Sequence, residues 1–237
     1  MGQESGHGPN RDVAATSQGR LSARPQAIAQ PGGLPVGLSR LGLEEGRDGL
    51  LFVPRGLDPA RPAPLVVMLH GAGGEAAHVM GLVEPAAAAQ GFVVLSPDSR
   101  LGTWDVIRGG YGPDVAFLNR ALERVFAGAA IDPGRIAVGG FSDGGSYALC
   151  LGLANGDLFS DVLAFSPGFA APAVTTGRPR IFISHGDRDE VLPVDKCGRR
   201  LARVLREGGY DVDYREFGGG HVVPPEMVAG ALARFFS

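Results

Sequence analysis

The sequence is poor in cysteine, in net charge and in long apolar runs. Two cysteines among 237 residues, Cys150 and Cys197, are too few for a disulfide framework, and whether they pair is left open. No cysteine and histidine cluster has the spacing of a zinc site, so no metal is expected. The formal charge is only −3 and no basic run stands out, which argues against nucleic acid as the main partner. No apolar run reaches the ~20 residues that would span a bilayer. The first residues lack the charged start and apolar core of a secretory signal. Gly6 also stands where a myristoylation signal needs Ser or Thr. The expectation is a cytoplasmic chain without a membrane span.

What the sequence does have is backbone freedom. Its 38 glycines and 18 prolines make up about 24% of the chain, close to low-complexity levels. Yet 44% of the residues are hydrophobic, gathered in short runs that a disordered chain would lack. Residues 1–35 are polar and without periodicity, and read as an N-terminal arm or tail; homodimerisation through it is left open. Residues 36–237 read as a single domain in which strands and helices alternate. Leu65–Leu69 is a continuous apolar run, as in a strand buried on both faces. Helices are expected over Glu75–Gln90 (closed by Gly91), Pro113–Ala129, Gly144–Asn155, Val194–Gly208 and from Pro224-Pro225 to Phe236. Such alternation implies an α/β fold, a mostly parallel sheet of about eight strands with helices on both faces.

In such sheets, reacting groups gather at the carboxyl ends of strands. The strand Ile136–Val138 runs into Gly139-Gly140-Phe141-Ser142-Asp143-Gly144-Gly145, which contains G-x-S-x-G. With 12 serines and this glycine content, about 0.3 such matches arise by chance, so the position of the motif counts for more than the motif. Between a strand and a helix, it forces the serine onto a strained turn that lifts its hydroxyl clear of the sheet. A serine near neutral pH is a weak nucleophile and needs a base, which in turn needs an orienting acid. Of the five histidines, His221 follows the last strand through Gly218-Gly219-Gly220, a loop free to aim an imidazole at the sheet end. Asp189 follows the strand Ile181–Ile183 and immediately precedes Val191-Leu192-Pro193; Asp187 is its rival two residues away. The order Ser142, Asp189, His221 is that of a serine hydrolase on this type of sheet.

The strand Leu65–Leu69 runs into His70-Gly71-Ala72-Gly73-Gly74. There the N–H of Ala72, together with that of Asp143, is the candidate pair of oxyanion donors, and His70 braces the loop. A rival reading takes Gly71-x-Gly73-x-x-Ala76 with Asp98 as a dinucleotide fingerprint, but it leaves Ser142, Asp189 and His221 without a role. Together, L-H-G-x-G, G-F-S-D-G-G, H-G-x-x-D and the late G-H loop resemble the α/β-hydrolase superfamily. They are most similar to its small serine esterases, the phospholipase/carboxylesterase and polyhydroxybutyrate-depolymerase-like groups. The resemblance covers about Gly49 onward. It implies a catalytic Ser142, Asp189 and His221, with an oxyanion hole from the Ala72 and Asp143 amides. Asp143 departs from the Gln that these carboxylesterases commonly carry after the nucleophile.

Only Ser166 to Arg180 separates the strand Val162–Phe165 from the next, too short for a helical cap. An open site follows, suited to small or polymeric esters with short to medium acyl or aryl groups. Trp104, Phe169 and Phe217, each in or beside a loop at the reactive end, are candidate substrate contacts. The expected chemistry is ester hydrolysis through an acyl-enzyme, without a cofactor. A thioesterase or lysophospholipase would share the machinery, and a non-catalytic binding protein would not need it.

Overall fold

The computed structural model describes residues 14–26, 33–58 and 61–237. Its elements follow one another as β1 (Gly37–Arg40), β2 (Gly49–Val53), β3 (Ala63–Leu69), α1 (Ala76–Gln90), β4 (Val93–Pro97), α2 (Pro113–Gly128) and β5 (Ile131–Phe141). Then come α3 (Asp143–Ala154), β6 (Asp161–Phe165), β7 (Arg180–Gly186), α4 (Gly198–Glu207), β8 (Val212–Phe217) and α5 (Pro225–Phe235). The strands form one eight-stranded sheet in the order β1-β2-β4-β3-β5-β6-β7-β8. Only the β1–β2 and β2–β4 pairings are antiparallel. Strand order reverses between β3 and β5, which pair in parallel with Leu69 opposite Gly140. The crevice at such a reversal lies at the strand ends, here between the 70–74 turn and Ser142.

The central strand shows why the sequence folds this way. Leu65, Val67 and Leu69 enter the core on one face of the sheet, beneath α2, α3 and α4. Val66 and Met68 enter the other, beneath α1 and α5. That period of two, with both faces apolar, is what a buried parallel strand requires. Each large side chain so buried contributes roughly 1.5–3 kcal/mol. α1 ends where expected, at Gly91, whose φ of 77° permits the left-handed cap.

Residues 14–26 of the N-terminal arm lie against the domain. Leu21 is 2% exposed and joins the core, and its N–H donates to Asn155 Oδ1 at 2.8 Å. The Ser22 and Ala23 N–H groups both donate to Asn119 Oδ1 at 2.8 Å. Arg20 and Arg24 pair with Asp157 at 2.7 and 2.6 Å. Residues 1–13 and 27–32 of the arm lie outside the described residues.

Elsewhere the boundaries differ from the expectation. α4 starts at Gly198 and not at Val194, because residues 194–197 form a turn in which the Lys196 and Cys197 N–H groups both donate to Pro193 O at 3.0 Å. β1 escaped the sequence reading, since Gly-Leu-Ser-Arg carries no apolar run. Residues 166–179 contain no helix, so no helical cap is inserted after β6. Cys150 and Cys197 are both buried and free, which answers the pairing question. Among the described residues, no helix is long and apolar enough to cross a membrane.

Candidate active site

Ser142 sits on the turn between β5 and α3 with φ 58° and ψ −119°. A residue with a side chain rarely holds that left-handed backbone, which costs on the order of 1–3 kcal/mol and must be offset by the surroundings. Here the Ser142 N–H donates to Phe165 O of β6 at 2.9 Å, and α3 begins at once. A Cβ on Gly144 would press into the carbonyl oxygens of Leu69 and His70, and one on Gly140 into the Gly144 carbonyl. Both glycines of G-x-S-x-G are therefore demanded by close backbone approach.

The structure brings three of the expected residues within hydrogen-bond reach. Ser142 Oγ–H donates to His221 Nε2 at 2.9 Å, and His221 Nδ1–H donates to Asp189 Oδ2 at 2.6 Å. A carboxylate only accepts, so the imidazole proton belongs on Nδ1, leaving Nε2 to face the serine. Asp189 is 5% exposed, and its Oδ1 accepts the N–H groups of Val191 at 3.0 Å and Leu192 at 2.8 Å. Burial opposes its charge, but the Leu192 N–H and His221 outweigh that and hold the carboxyl below its ordinary value. The rival Asp187 is exposed and accepts the Gly219 N–H at 3.0 Å. It pins the loop that carries His221.

The phospholipase/carboxylesterase family model matches residues 118–235. Among solved structures, esterase PE8 superposes with a TM-score of 0.66 at 22% identity, covering 85% of this chain and 99% of its own. The native esterase Est2 of Thermogutta terrifontis gives 0.66 at 20% identity, covering 88% and 94%. The chain has the α/β-hydrolase fold. Feruloyl esterase C of Emericella nidulans is 30% identical to the chain over 158 residues, 63% of this chain and 57% of that protein. Acyl-protein thioesterase 1 of Gibberella zeae is 30% identical over 108 residues, 41% and 46% of the two chains. The chain thus spans about half the length of these relatives.

The β3 turn lies beside the nucleophile: a Cβ on Gly71 would stand 3.3 Å from Ser142 Cβ. Ala72 is exposed at its tip, and Asp143 opens α3. Neither of their N–H groups donates to another described residue; for Asp143 this is usual for the first turn of a helix. The Asp143 carboxylate accepts the Thr103 Oγ1–H at 2.6 Å. His70 is fully buried beneath the turn, with Nδ1–H donating to Gly71 O at 2.7 Å and Nε2 accepting the Ser99 N–H at 3.0 Å. Burial lowers its basicity, with Arg47 acting in the same direction.

Trp104 is a correction. It is 1% exposed, packed beneath the turn, and is not a substrate contact. Its indole N–H must find an acceptor when buried and donates to His70 O at 2.8 Å, while the ring stacks on Tyr147 at 5.0 Å. Phe169 and Phe217 are half-buried, in the loop after β6 and at the end of β8. Asp98 is spent on backbone: Oδ1 accepts the Ala76 N–H at 2.7 Å and Oδ2 the Asp48 N–H at 3.1 Å. That leaves the dinucleotide reading without its ribose ligand. Among the described residues, no group of three His, Cys, Asp or Glu could hold a metal ion.

Two residues were missed. Thr103 is one. The other is Ser146, one helical turn after Ser142, whose Oγ–H donates to Ser142 O at 3.1 Å and accepts the Gly168 N–H at 2.8 Å. It ties the loop after β6 to the nucleophile. Its i+4 spacing from Ser142 was the available signal.

Proposed function

We propose that this α/β-hydrolase is a serine carboxylesterase acting through an acyl-enzyme. The observation that carries the reading is the continuous relay from Ser142 through His221 to Asp189, at 2.9 and 2.6 Å, on a left-handed turn at the strand ends. His221 takes the Ser142 proton as Oγ attacks the ester carbonyl carbon, and the Ala72 and Asp143 N–H groups hold the oxyanion. The tetrahedral intermediate collapses with the proton passing from His221 to the leaving alcohol. His221 then deprotonates a water that attacks the acyl carbon, freeing the acid and restoring Ser142. Asp189 fixes the imidazole tautomer and stabilises its charged form. The scheme uses no cofactor.

The substrates proposed are short to medium acyl, aryl or polyester-like esters. The helix-free 166–179 segment supports an open site, and the relative named feruloyl esterase supports an aryl-substituted acid. Phe169 and Phe217 would flank such a group. The likeness to Acyl-protein thioesterase 1 favours a second reading, thioester hydrolysis, which differs only in the leaving group. A reducing compartment such as the cytoplasm suits the two free thiols.

The test is Ser142→Ala against wild type on p-nitrophenyl acetate and butyrate, with acyl thioesters, aryl esters and polyesters in the same panel. Turnover by wild type, abolished in the variant, with fluorophosphonate labelling at Ser142, is the expected result. Undiminished turnover by the variant would overturn the assignment. Failure of wild type to label or turn over any of the panel would favour a binding protein.

A further inference from the structure

β7 carries a second imidazole under the site, one that the acyl-enzyme scheme leaves idle. His185 is fully buried, and its Nε2–H donates to Leu192 O at 2.7 Å. The same Nε2 stands 3.3 Å from Asp189 Oδ2, the oxygen that accepts the His221 Nδ1–H. Both of those neighbours are acceptors, so the ring proton belongs on Nε2 and Nδ1 is bare. Among the described residues Nδ1 has no hydrogen-bond partner. The ring is boxed in on that side by the first residue of α4: a Cβ on Gly198 would stand 2.8 Å from Nδ1. Burial lowers its basicity; the ionisable groups around it are Asp189, His221 and Glu216. On α4's N-terminal side, Cys197 also feels Asp189.

A buried ring with one unpaired nitrogen is a poor way to fill space, because an apolar side chain of similar bulk leaves nothing unsatisfied. Its geometry supplies a reason. Leu192 is held from both sides: its N–H donates to Asp189 Oδ1 at 2.8 Å while its carbonyl accepts from His185. The imidazole thus closes the 189–192 arc around the carboxylate and offers a second, longer approach to Oδ2. Resting on the esterase reading, we infer that His185 is a positioning residue: it holds Asp189 in the orientation that aims His221 at Ser142. It touches neither substrate nor nucleophile and acts through Asp189.

Three variants test this. His185→Gln places an amide N–H where Nε2 stood, His185→Leu keeps bulk without a donor, and His185→Asn is polar but too short to reach the Leu192 carbonyl. In folded wild type, the short His221–Asp189 bond should give a low-field proton resonance in the NMR spectrum. It should move upfield in the Leu and Asn variants and return in the Gln variant. With p-nitrophenyl butyrate, kcat should fall about tenfold in the Leu and Asn variants with KM within about twofold. The Gln variant should restore kcat. A role in folding alone would lower Tm and leave the resonance and kcat in place. That result, or a Gln variant that behaves like Leu, overturns the inference. If the Leu variant does not fold, Asn against Gln decides. If wild type turns over no ester, the esterase reading fails, and the resonance still reports on Asp189.

Discussion

Replacing Asp189 by Asn tests the site with a change of one atom. Asp189 Oδ1 accepts two backbone N–H groups, from Val191 and Leu192. An amide NH2 cannot sit there, because it would face two donors, so the Asn oxygen must take that place. The NH2 is then forced toward His221 Nδ1, where Oδ2 was. The ring must accept on Nδ1 and carry its proton on Nε2, and an Nε2–H cannot take the proton of Ser142. Such a tautomer reversal costs about 10⁴ in kcat in a serine protease, which is ~5.4 kcal/mol of transition-state stabilisation. The assay is p-nitrophenyl butyrate hydrolysis near neutral pH, with thermal unfolding run alongside to show that the variant is folded. Asp187→Asn is the matched control: it removes charge from the same loop but touches only the Gly219 N–H and, at 3.8 Å, the exposed Arg188, and should cost less than about tenfold. A folded Asp189→Asn protein that keeps a tenth of wild-type kcat would refute the reasoning. So would a reversal of the two effects.

Gly144→Ala should lower stability by at least about 3 kcal/mol, or prevent folding, because the added methyl meets backbone carbonyls that cannot move aside; urea denaturation reads it. Ser146→Ala should cost ~1–2 kcal/mol and raise KM more than it lowers kcat, since it frees the Gly168 loop from α3. Leu21→Ala should remove about 2–4 kcal/mol at unchanged KM, as a core residue contributed by the arm. Hydrogen bonding from Arg20, opposed by partial burial and reinforced by Arg24, lowers the Asp157 carboxyl from 3.8 to about 2. A depressed carboxyl stabilises the fold above its unfolded value and loses that contribution as pH falls toward the folded one. Asp157→Asn should therefore cost about 1 kcal/mol at pH 7, after discounting for partial exposure, with the difference closing between about pH 4 and 2. A constant difference down to pH 2 would contradict it.

What the sequence revealed followed from how each feature is encoded. β3, β4, β6 and β7 are legible because strands buried on both faces must be unbroken apolar runs. Gly91 marks the end of α1 because only a residue without Cβ takes that cap comfortably. The three groups of the relay are legible by position, each just after a strand at the same end of the sheet. The preference for Asp189 over Asp187 rests on Val191-Leu192-Pro193, and the first two of these supply the N–H groups that hold Asp189. Trp104 was misplaced for a different reason. Sequence puts its ring near the site but cannot say which side of the loop it takes. That is decided by the His70 carbonyl and the Tyr147 ring, neither of them close in sequence. His185 is hidden inside a strand, where a buried histidine looks like any core residue.

The spacing of the relay also has a consequence in time. Ser142 and His221 are 79 residues apart in the chain, and Asp189 and His221 are 32 apart. Each separation is a loop that must close before its contact exists, and such closures dominate the folding time of parallel sheets. The helices need no such wait. On dilution from urea, the far-ultraviolet helix signal should recover first and ester turnover last, which makes catalysis a clock for the final docking of β7 and β8 onto a sheet already formed.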